Sequence, residues 1–390
     1  MKKNIIFILP ELYGGGAEKT VGNLSKKLIN DYNIDIVLFR DTPIKYAYSG
    51  NLVYLPKRTK NNIIAKIIFF IKSVFFLKRY KKEHKIDYSV SFLTAADIIN
   101  VFSNTKGTKN IISIRNTDSR LNNKNKLYKL CTYISTHKSD HIISISNQVK
   151  DDLIENFNID EKKITTIYNP SLAIEFGNMK LKVDENFWQN QVVINMGRLT
   201  QQKGQWHLIK AFSEVVKKNK NCKLLILGEG ELKEELKKLI SILNLEDNVL
   251  LLGFVDNPYD YLRKADIFVF SSLYEGLGNS IIESLVCEIP VISTDCIAGP
   301  REILSPKSDF RKKITDKIDY AEFGILVPNF KEEQCDYNIE LTREEMILSD
   351  AITKMINDKE VRNHYIEKSK QRANDFNIEV ISNEWKKILK

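Results

Sequence analysis

No Asp-x-Asp occurs anywhere in the 390 residues, so the acidic pair that would hold a catalytic Mg²⁺ or Mn²⁺ most simply is missing. The five cysteines, at 131, 222, 287, 296 and 335, include no Cys-x-x-Cys pair. An odd number without that spacing fits a reducing cytosol rather than a disulfide framework. Neither Gly-x-Gly-x-x-Gly nor a loop ending in Gly-Lys-Ser/Thr is present, which removes the dinucleotide and P-loop fingerprints. No low-complexity block or repeat of solenoid length is visible. The start, Met1-Lys-Lys-Asn4 and then Ile5–Leu9, is too short and lacks the small-residue cleavage site of a signal peptide, so it reads as a buried first strand.

What is present is globular. The length exceeds one ordinary core and predicts two domains of about 150–200 residues. Charge is unevenly spread: residues 1–150 hold 26 Lys/Arg and 10 Asp/Glu, and 151–390 hold 33 and 40, which together give the net +9. A basic first half seeks anionic surfaces; a composition rich in Lys, Asn and Ile is the alternative explanation. No helix-turn-helix, RNA-binding aromatic pair or zinc spacing accompanies the charge, so nucleic acid is not expected as a partner. His137 and His141 are four apart, but a strand begins at the second, so they read as structural.

Strand-like runs at Ile5–Leu9, Ile34–Phe39, Leu52–Leu55, Tyr88–Leu93, Asn110–Arg115, His141–Ser146 and Ile164–Tyr168 alternate with helical patterns, which predicts a parallel doubly wound sheet. The alternation stops near 169–190, the candidate linker. A second set follows at Val192–Met196, Lys223–Leu227, Val249–Leu252, Ile267–Phe270 and Val291–Ser293, with helices at 204–218, 231–243, 258–264 and 280–287. Ser305–Ala321 reads as a charged insertion or loop, and 343–357, 359–375 and 378–389 as C-terminal helices. The most hydrophobic stretch, Ile63–Lys82, is interrupted by lysines at 66, 72 and 78 and is not expected to span a membrane. It carries Phe69, Phe70, Phe75 and Phe76, and has two readings: a basic helix at an anionic membrane interface, or a core helix with snorkelling lysines.

The candidate chemistry centres on Ser271–Glu283, where a buried strand, a Gly-rich turn and a helix start place Glu275 and Glu283 eight positions apart. Unpaired N–H groups at such a helix start favour an anion, and the two carboxylates suit hydroxyl-rich groups on either side of it. For Glu283 a capping box with Ser280 at the N-cap is the alternative; Glu275, at a loop tip over the carboxyl ends of strands, lies where ligands bind. Arg198 and Lys203, in the turn Gly197–Gly204, offer a planar fork and a mobile point charge to a diphosphate. Gly14-Gly-Gly16 and Gly228-Glu-Gly230 are weaker loop signals of close backbone approach.

Four pieces in this order carry a family resemblance: Gly14-Gly-Gly-Ala-Glu18, Gly197-Arg198 with Lys203-Gly204, Gly228-Glu-Gly230, and the Glu-x7-Glu element from Glu275 to Glu283. The chain resembles the family 4 retaining glycosyltransferases of B-type fold. The resemblance implies two doubly wound, Rossmann-like α/β domains facing across a cleft. They would comprise 1–170 and 191–375, joined by a linker at 171–190, with 376–390 crossing back to the first. It further implies that Arg198 and Lys203 bind the donor diphosphate, Glu275 contacts the transferred sugar and Glu283 holds the ribose hydroxyls. The backbone from Gly276 and Leu277 through Gly278, Asn279 and Ser280 would lie along sugar and phosphates, Gly15 and Gly16 would close over the donor, and Val255 would sit near the base.

A narrower likeness, in Asn279, Cys296–Leu304 and Arg372–Phe376 with Trp385, is to enzymes that extend bacterial lipid-linked oligosaccharides and surface polysaccharides, especially N-acetylgalactosaminyl or other hexosyl transferases. Where many relatives carry a histidine, this chain has Arg115, followed by Asn116; arginine is no base near neutral pH, so these would orient sugar or phosphate. The expectation is therefore a hexosyltransferase moving sugar from a UDP-linked donor to a polyprenyl-diphosphate-linked saccharide, cytoplasmic and peripheral on the inner face of the membrane. No metal or other cofactor is expected. A soluble sugar or sugar-phosphate acceptor, and a non-catalytic assembly protein keeping the fold, are the alternatives.

Overall fold

Ile5-Ile-Phe-Ile-Leu9 carries no polar side chain, and every one of these residues is fully buried. A strand covered on both faces is the mark of a parallel sheet with helices above and below. The computed structural model describes residues 2–58, 62–117, 126–171, 181–335 and 337–390. The chain divides into two units, Met1–Leu172 with Phe376–Lys390, and Ala173–Asp375.

Unit 1 runs β1 (Asn4–Leu9), α1 (Gly16–Leu28), β2 (Asn33–Leu38), β3 (Asn51–Tyr54), α2 (Ile63–Glu83), β4 (Tyr88–Phe92), α3 (Thr94–Phe102), β5 (Lys109–Ile114), α4 (Lys126–Lys138), β6 (His141–Ser144), α5 (Asn147–Phe157) and β7 (Ile164–Thr166). Its seven strands lie in the order β3-β2-β1-β4-β5-β6-β7, all parallel. The order reverses between β1 and β4, which opens a crevice at their carboxyl ends. The last helix, Ile378–Ile388, belongs to this unit. Ile381, Trp385 and Leu389 join the core that contains Phe7 and Phe92, and Ser171 N–H donates to Phe376 O at 2.7 Å.

Helix α2 has two characters. Phe69, Phe70, Val74, Phe76, Leu77 and Tyr80 pack on the core, while Ile63, Ile64, Ile67, Ile68, Ile71 and Phe75 are exposed. Lys66, Lys72, Lys78, Arg79 and Lys82 are exposed around them. Lys81 points inward instead and is fully buried. Its Nζ donates to Asn100 Oδ1 and Asn110 Oδ1, each at 2.8 Å, and to Asn100 O at 3.1 Å. Burial pushes its pKa well down, with Asp140 opposing. No described helix is long and apolar enough to cross a membrane.

Unit 2 runs β8 (Gln191–Met196), α6 (Gln205–Lys218), β9 (Cys222–Leu227), α7 (Lys233–Ile242), β10 (Val249–Gly253), α8 (Tyr259–Lys264), β11 (Ile267–Phe270), α9 (Asn279–Val286), β12 (Val291–Thr294), α10 (Pro300–Leu304), β13 (Asp319–Ala321), β14 (Gly324–Val327), α11 (Arg343–Asn357) and α12 (Lys359–Ala373). The strand order is β10-β9-β8-β11-β12-β14-β13, reversing between β8 and β11. Each unit is a doubly wound, Rossmann-like α/β domain, as the alternation of patterns predicts.

Three features differ from the sequence expectation. Ser305–Ala321 ends in β13, an antiparallel edge strand on β14, so the second sheet is not wholly parallel; three- and four-residue strands are too short to show a period. Helix α10, with Pro300 at its start, spans five residues and leaves no amphipathic trace. In the candidate linker, 172–180 lies outside the described residues. Its second half packs on α8, where Tyr261 Oη accepts from Lys182 N–H at 3.1 Å and Lys264 pairs with Glu185 at 2.9 Å.

A buried ionic knot ties α11 to α6. Glu345 Oε1 lies 2.7 Å from His207 Nδ1 and 3.3 Å from Lys210 Nζ, and Thr342 and Glu345 cap α11 reciprocally.

Candidate active site

The turn after β8 is held by backbone bonds, Gly197 N–H to Leu227 O and Leu199 N–H to Glu229 O, both 3.0 Å. Contact between the 197–199 and 228–230 loops is tight enough that a Cβ at Gly228 would fall 1.9 Å from Gly197 O. The Gly-Glu-Gly pattern therefore serves loop-on-loop packing. Arg198 is exposed. The short turn Gln201–Lys203 then aims Lys203 back along Gly197. Its Nζ stands 5.6 Å from the Phe270 ring centroid and forms an ion pair with Glu275 Oε1. With side-chain exposures of 19% and 11%, these charges are largely out of bulk water, where each needs the other or a ligand of matching charge.

The loop carrying Glu275 is fixed from both sides. Leu273 N–H donates to Gln202 O at 2.8 Å and Glu275 N–H to Ile297 O at 3.0 Å. Gln202 Nε2 donates to Tyr274 O, and Asn329 Nδ2 to Leu273 O, each at 2.9 Å. Residues 276, 277 and 278 are buried. Gly299 backs onto this loop so closely that a Cβ there would lie 1.7 Å from Leu277 O.

The capping-box reading of Ser280 and Glu283 is corrected. The N-cap is Gly278, with φ 92° and no side-chain cap, and α9 starts at Asn279. Ser280 is thus second in the helix and Glu283 fifth, beyond capping reach, because the glycine's left-handed backbone turns the chain into the helix two residues early. Asn279 and Ser280 form the first turn of α9, and a helix start of this kind favours an anion. Glu283, half-buried, accepts from Tyr259 Oη at 3.3 Å. Tyr259 starts α8 directly after the loop that holds the half-buried Val255, so it links the Val255 loop to Glu283. Sequence reading missed Tyr259, and its only local signal is the turn Asn257-Pro258 before it.

In unit 1 the carboxyl ends of β1, β4 and β5 gather a second cluster. Gly15 is the N-cap of α1 and Gly16 its first residue, and the Glu18 carboxylate folds back against Gly15. Arg115, just after β5, donates from Nη1 to Asn169 Oδ1 at 2.6 Å, which also accepts from Thr20 Oγ1 at 3.1 Å. The guanidinium lies 5.1 Å from the Phe92 ring centroid. Burial holds its pKa down to about 10, and the charges of Glu18 and Asp97 oppose that. It is therefore still a cation at neutral pH. Asn116 beside it is exposed. His141 Nε2 lies 3.0 Å from Thr165 Oγ1, and His137 Nδ1 lies 2.8 Å from Tyr133 O. Among the described residues no three His, Cys, Asp or Glu side chains converge as a metal site.

Residues 14–170 match the family model described as Glycosyltransferase Family 4, and 180–321 the one described as Glycosyl transferases group 1. A Campylobacter jejuni N-acetylgalactosamine-N,N'-diacetylbacillosaminyl-diphospho-undecaprenol 4-alpha-N-acetylgalactosaminyltransferase is 33% identical over 100% of both chains. The chain belongs to the family 4 glycosyltransferases. The enzyme is also 40% identical, over 78% of each chain, to an uncharacterized glycosyltransferase of Methanocaldococcus jannaschii. Among solved structures, Anabaena HepE in complex with UDP matches with a TM-score of 0.74 at 17% identity, covering 100% of this chain and 99% of that one; that likeness concerns the fold alone. In this glycosyltransferase, then, the second unit's switch point carries Arg198, the Lys203–Glu275 pair and the α9 start, and the first unit's carries Gly15, Gly16 and Arg115.

Proposed function

We propose that this glycosyltransferase moves a hexose or N-acetylhexosamine, with retention, from a UDP-sugar to a polyprenyl-diphosphate-linked saccharide at the inner face of the cell membrane. The observation that carries the acceptor class is the outward face of α2, six large apolar side chains ringed by five cations. Such a helix lies in a membrane interface, and each Lys or Arg near an anionic leaflet contributes about 1 kcal/mol. The full-length likeness to an enzyme named for an undecaprenol-diphosphate acceptor supports the same reading.

In the donor unit, an arriving diphosphate competes for Lys203 and uncouples it from Glu275. Lys203 and Arg198 then neutralise the leaving group with the N–H groups of Asn279 and Ser280, and the freed Glu275 accepts from sugar hydroxyls. Glu283, with Tyr259, receives the ribose, and Val255 borders the base. The bond from the anomeric carbon to phosphate breaks as the acceptor oxygen bonds on the same face, and a leaving phosphate oxygen takes the acceptor's proton. This scheme uses no divalent ion. Arg115 supplies a fixed cation and no base.

The test is a panel of UDP-sugars against lipid-diphosphate and soluble acceptors, with EDTA and a Glu275→Ala control, together with flotation on anionic vesicles. Expected are transfer to the lipid acceptor, insensitivity to EDTA, loss of activity in Glu275→Ala, and flotation abolished by combining Ile64→Glu, Ile71→Glu and Phe75→Glu. Transfer to soluble acceptors alone, or wild-type protein that does not float, would refute the acceptor class. Full activity in Glu275→Ala would refute the site.

A further inference from the structure

We infer that the charged insertion 305–318 is a strap that positions the Glu275 loop, with Lys313 as the positioning residue that fastens it. The inference rests on the reading of that loop as the donor-sugar site.

Asp295, at the end of β12, is fully buried and is the buckle. Its carboxylate receives Arg301 Nε at 3.1 and 3.0 Å and Nη2 at 2.6 Å. From the insertion it receives Ile314 N–H at 3.0 Å and Lys313 Nζ at 3.5 Å. Lys313 Nζ also donates to Cys296 O at 3.2 Å. Arg301 also holds Ser308 within the insertion at 3.4 Å and Asp319, where β13 begins after it, at 3.2 Å. A charged segment with no helix or strand of its own is thus tied at three points to a single buried carboxylate and its partner arginine.

The fastened stretch is the one against which the sugar loop rests. Tyr274 pairs with Ile297 as a parallel bridge, Glu275 N–H donates to Ile297 O, and Gly299 abuts Leu277. Within that stretch Ala298 holds a positive φ of 62°, a backbone state that persists in a non-glycine residue only when its surroundings enforce it. Lys313 reaches the carbonyl two residues before Ala298, so it braces the strained turn that sets the height of Glu275. A brace of this kind acts on ground-state binding of the sugar without touching the reacting atoms.

The experiment compares Lys313→Met and Lys313→Arg with the wild type in donor KM, kcat, UDP affinity by calorimetry, thermal midpoint, and deuterium exchange of residues 273–279. In Lys313→Met, donor KM is expected to rise about tenfold while kcat and UDP affinity change less than about twofold. The 273–279 amides exchange faster, the midpoint is held, and Lys313→Arg recovers most of the loss. Unchanged KM and exchange in Lys313→Met would overturn the strap, as would a loss that parallels a fall in midpoint and in UDP affinity. If the wild type itself uses no UDP-sugar, the donor reading fails separately. The exchange of 273–279 in Lys313→Met then decides the strap alone, faster exchange supporting it and unchanged exchange overturning it.

Discussion

Replacing Gly299 by alanine tests whether the height of the Glu275 loop governs kcat/KM. An added Cβ would stand 1.7 Å from Leu277 O, 2.3 Å from its C and 2.6 Å from its Cα, all backbone atoms, where real Cβ contacts stay beyond 3.0 Å. Relief requires the 277 and 299 backbones to part by more than about 1 Å, and Glu275 is two residues away on the moving loop. A misplacement of that size costs about 100-fold in rate, equivalent to about 2.7 kcal/mol of transition-state stabilisation. The positive φ at Gly299, 102°, adds strain of its own for an L-residue. Gly107→Ala separates the two effects, because Gly107 has φ 98° but nothing within 4 Å of its Cβ position. The assay is kcat/KM for the UDP-sugar identified by the donor panel, measured beside the thermal midpoint. Gly299→Ala should lose about 100-fold in kcat/KM while Gly107→Ala loses only stability. A folded Gly299→Ala enzyme with wild-type kcat/KM would refute the reasoning.

Other expectations follow from buried charge. Burial opposes ionisation of Glu345, yet the hydrogen bond from His207, the Thr342 N–H and the charge of Lys210 hold its carboxyl below the ordinary value. Its contribution is therefore complete above about pH 4.5, the unfolded range, and is lost as pH falls through the lower folded value. Glu345→Gln removes the carboxylate that His207 and Lys210 share and should cost about 3–5 kcal/mol at neutral pH, read from urea unfolding by tryptophan emission; a cost below about 1 kcal/mol would show that the knot is not structural. For Lys81 the slope has the same sign but lies at higher pH. Between its depressed folded value and the ordinary lysine value the unfolded chain holds the extra proton, so stability should rise with pH across that window. Lys81→Met should flatten that slope in thermal melts, and an unchanged slope would assign it to other groups. Burial pushes the Cys222 and Cys296 thiols up to about 12, so in native protein iodoacetamide should label Cys131 well before either; peptide mapping that finds Cys296 modified first would contradict its burial.

Much of the fold was legible because buried parallel strands leave continuous apolar runs. β1, β2, β5, β8, β9 and β11 stand out in this way, while β3, exposed at both ends, and the three-residue β7 are legible only from their place in the alternation. The β13–β14 hairpin does not, since Asp319–Ala321 is short, exposed in part and polar at one end. Around the site, residue types and loop positions were legible and pairings were not. Lys203 and Glu275 are 72 residues apart, and nothing local records that they meet. The Ser280–Glu283 spacing imitated a capping box because the pattern takes no account of backbone handedness at Gly278. Lys81 looked like one more cation of a basic helix, and its inward turn depends on amide oxygens of Asn100 and Asn110, which only the packing of α3 and β5 supplies.

The return of Ile378–Ile388 to unit 1 inverts the order in which a ribosome can complete the two domains. Unit 1 begins at the first strand, yet Phe92 stacks on Trp385 with ring centroids 6.1 Å apart, and Tyr32 Oη reaches Leu389 O at 3.5 Å. Its core therefore lacks a wall until after the whole of Ala173–Asp375 has been made. At about 5–20 residues per second those roughly 200 residues take about 10–40 s, and unit 2 is complete at Asp375, before unit 1 receives its last helix. Nascent unit 1 meanwhile presents an open apolar groove shaped to its own C-terminus, the interval in which a chaperone or a membrane surface would find it.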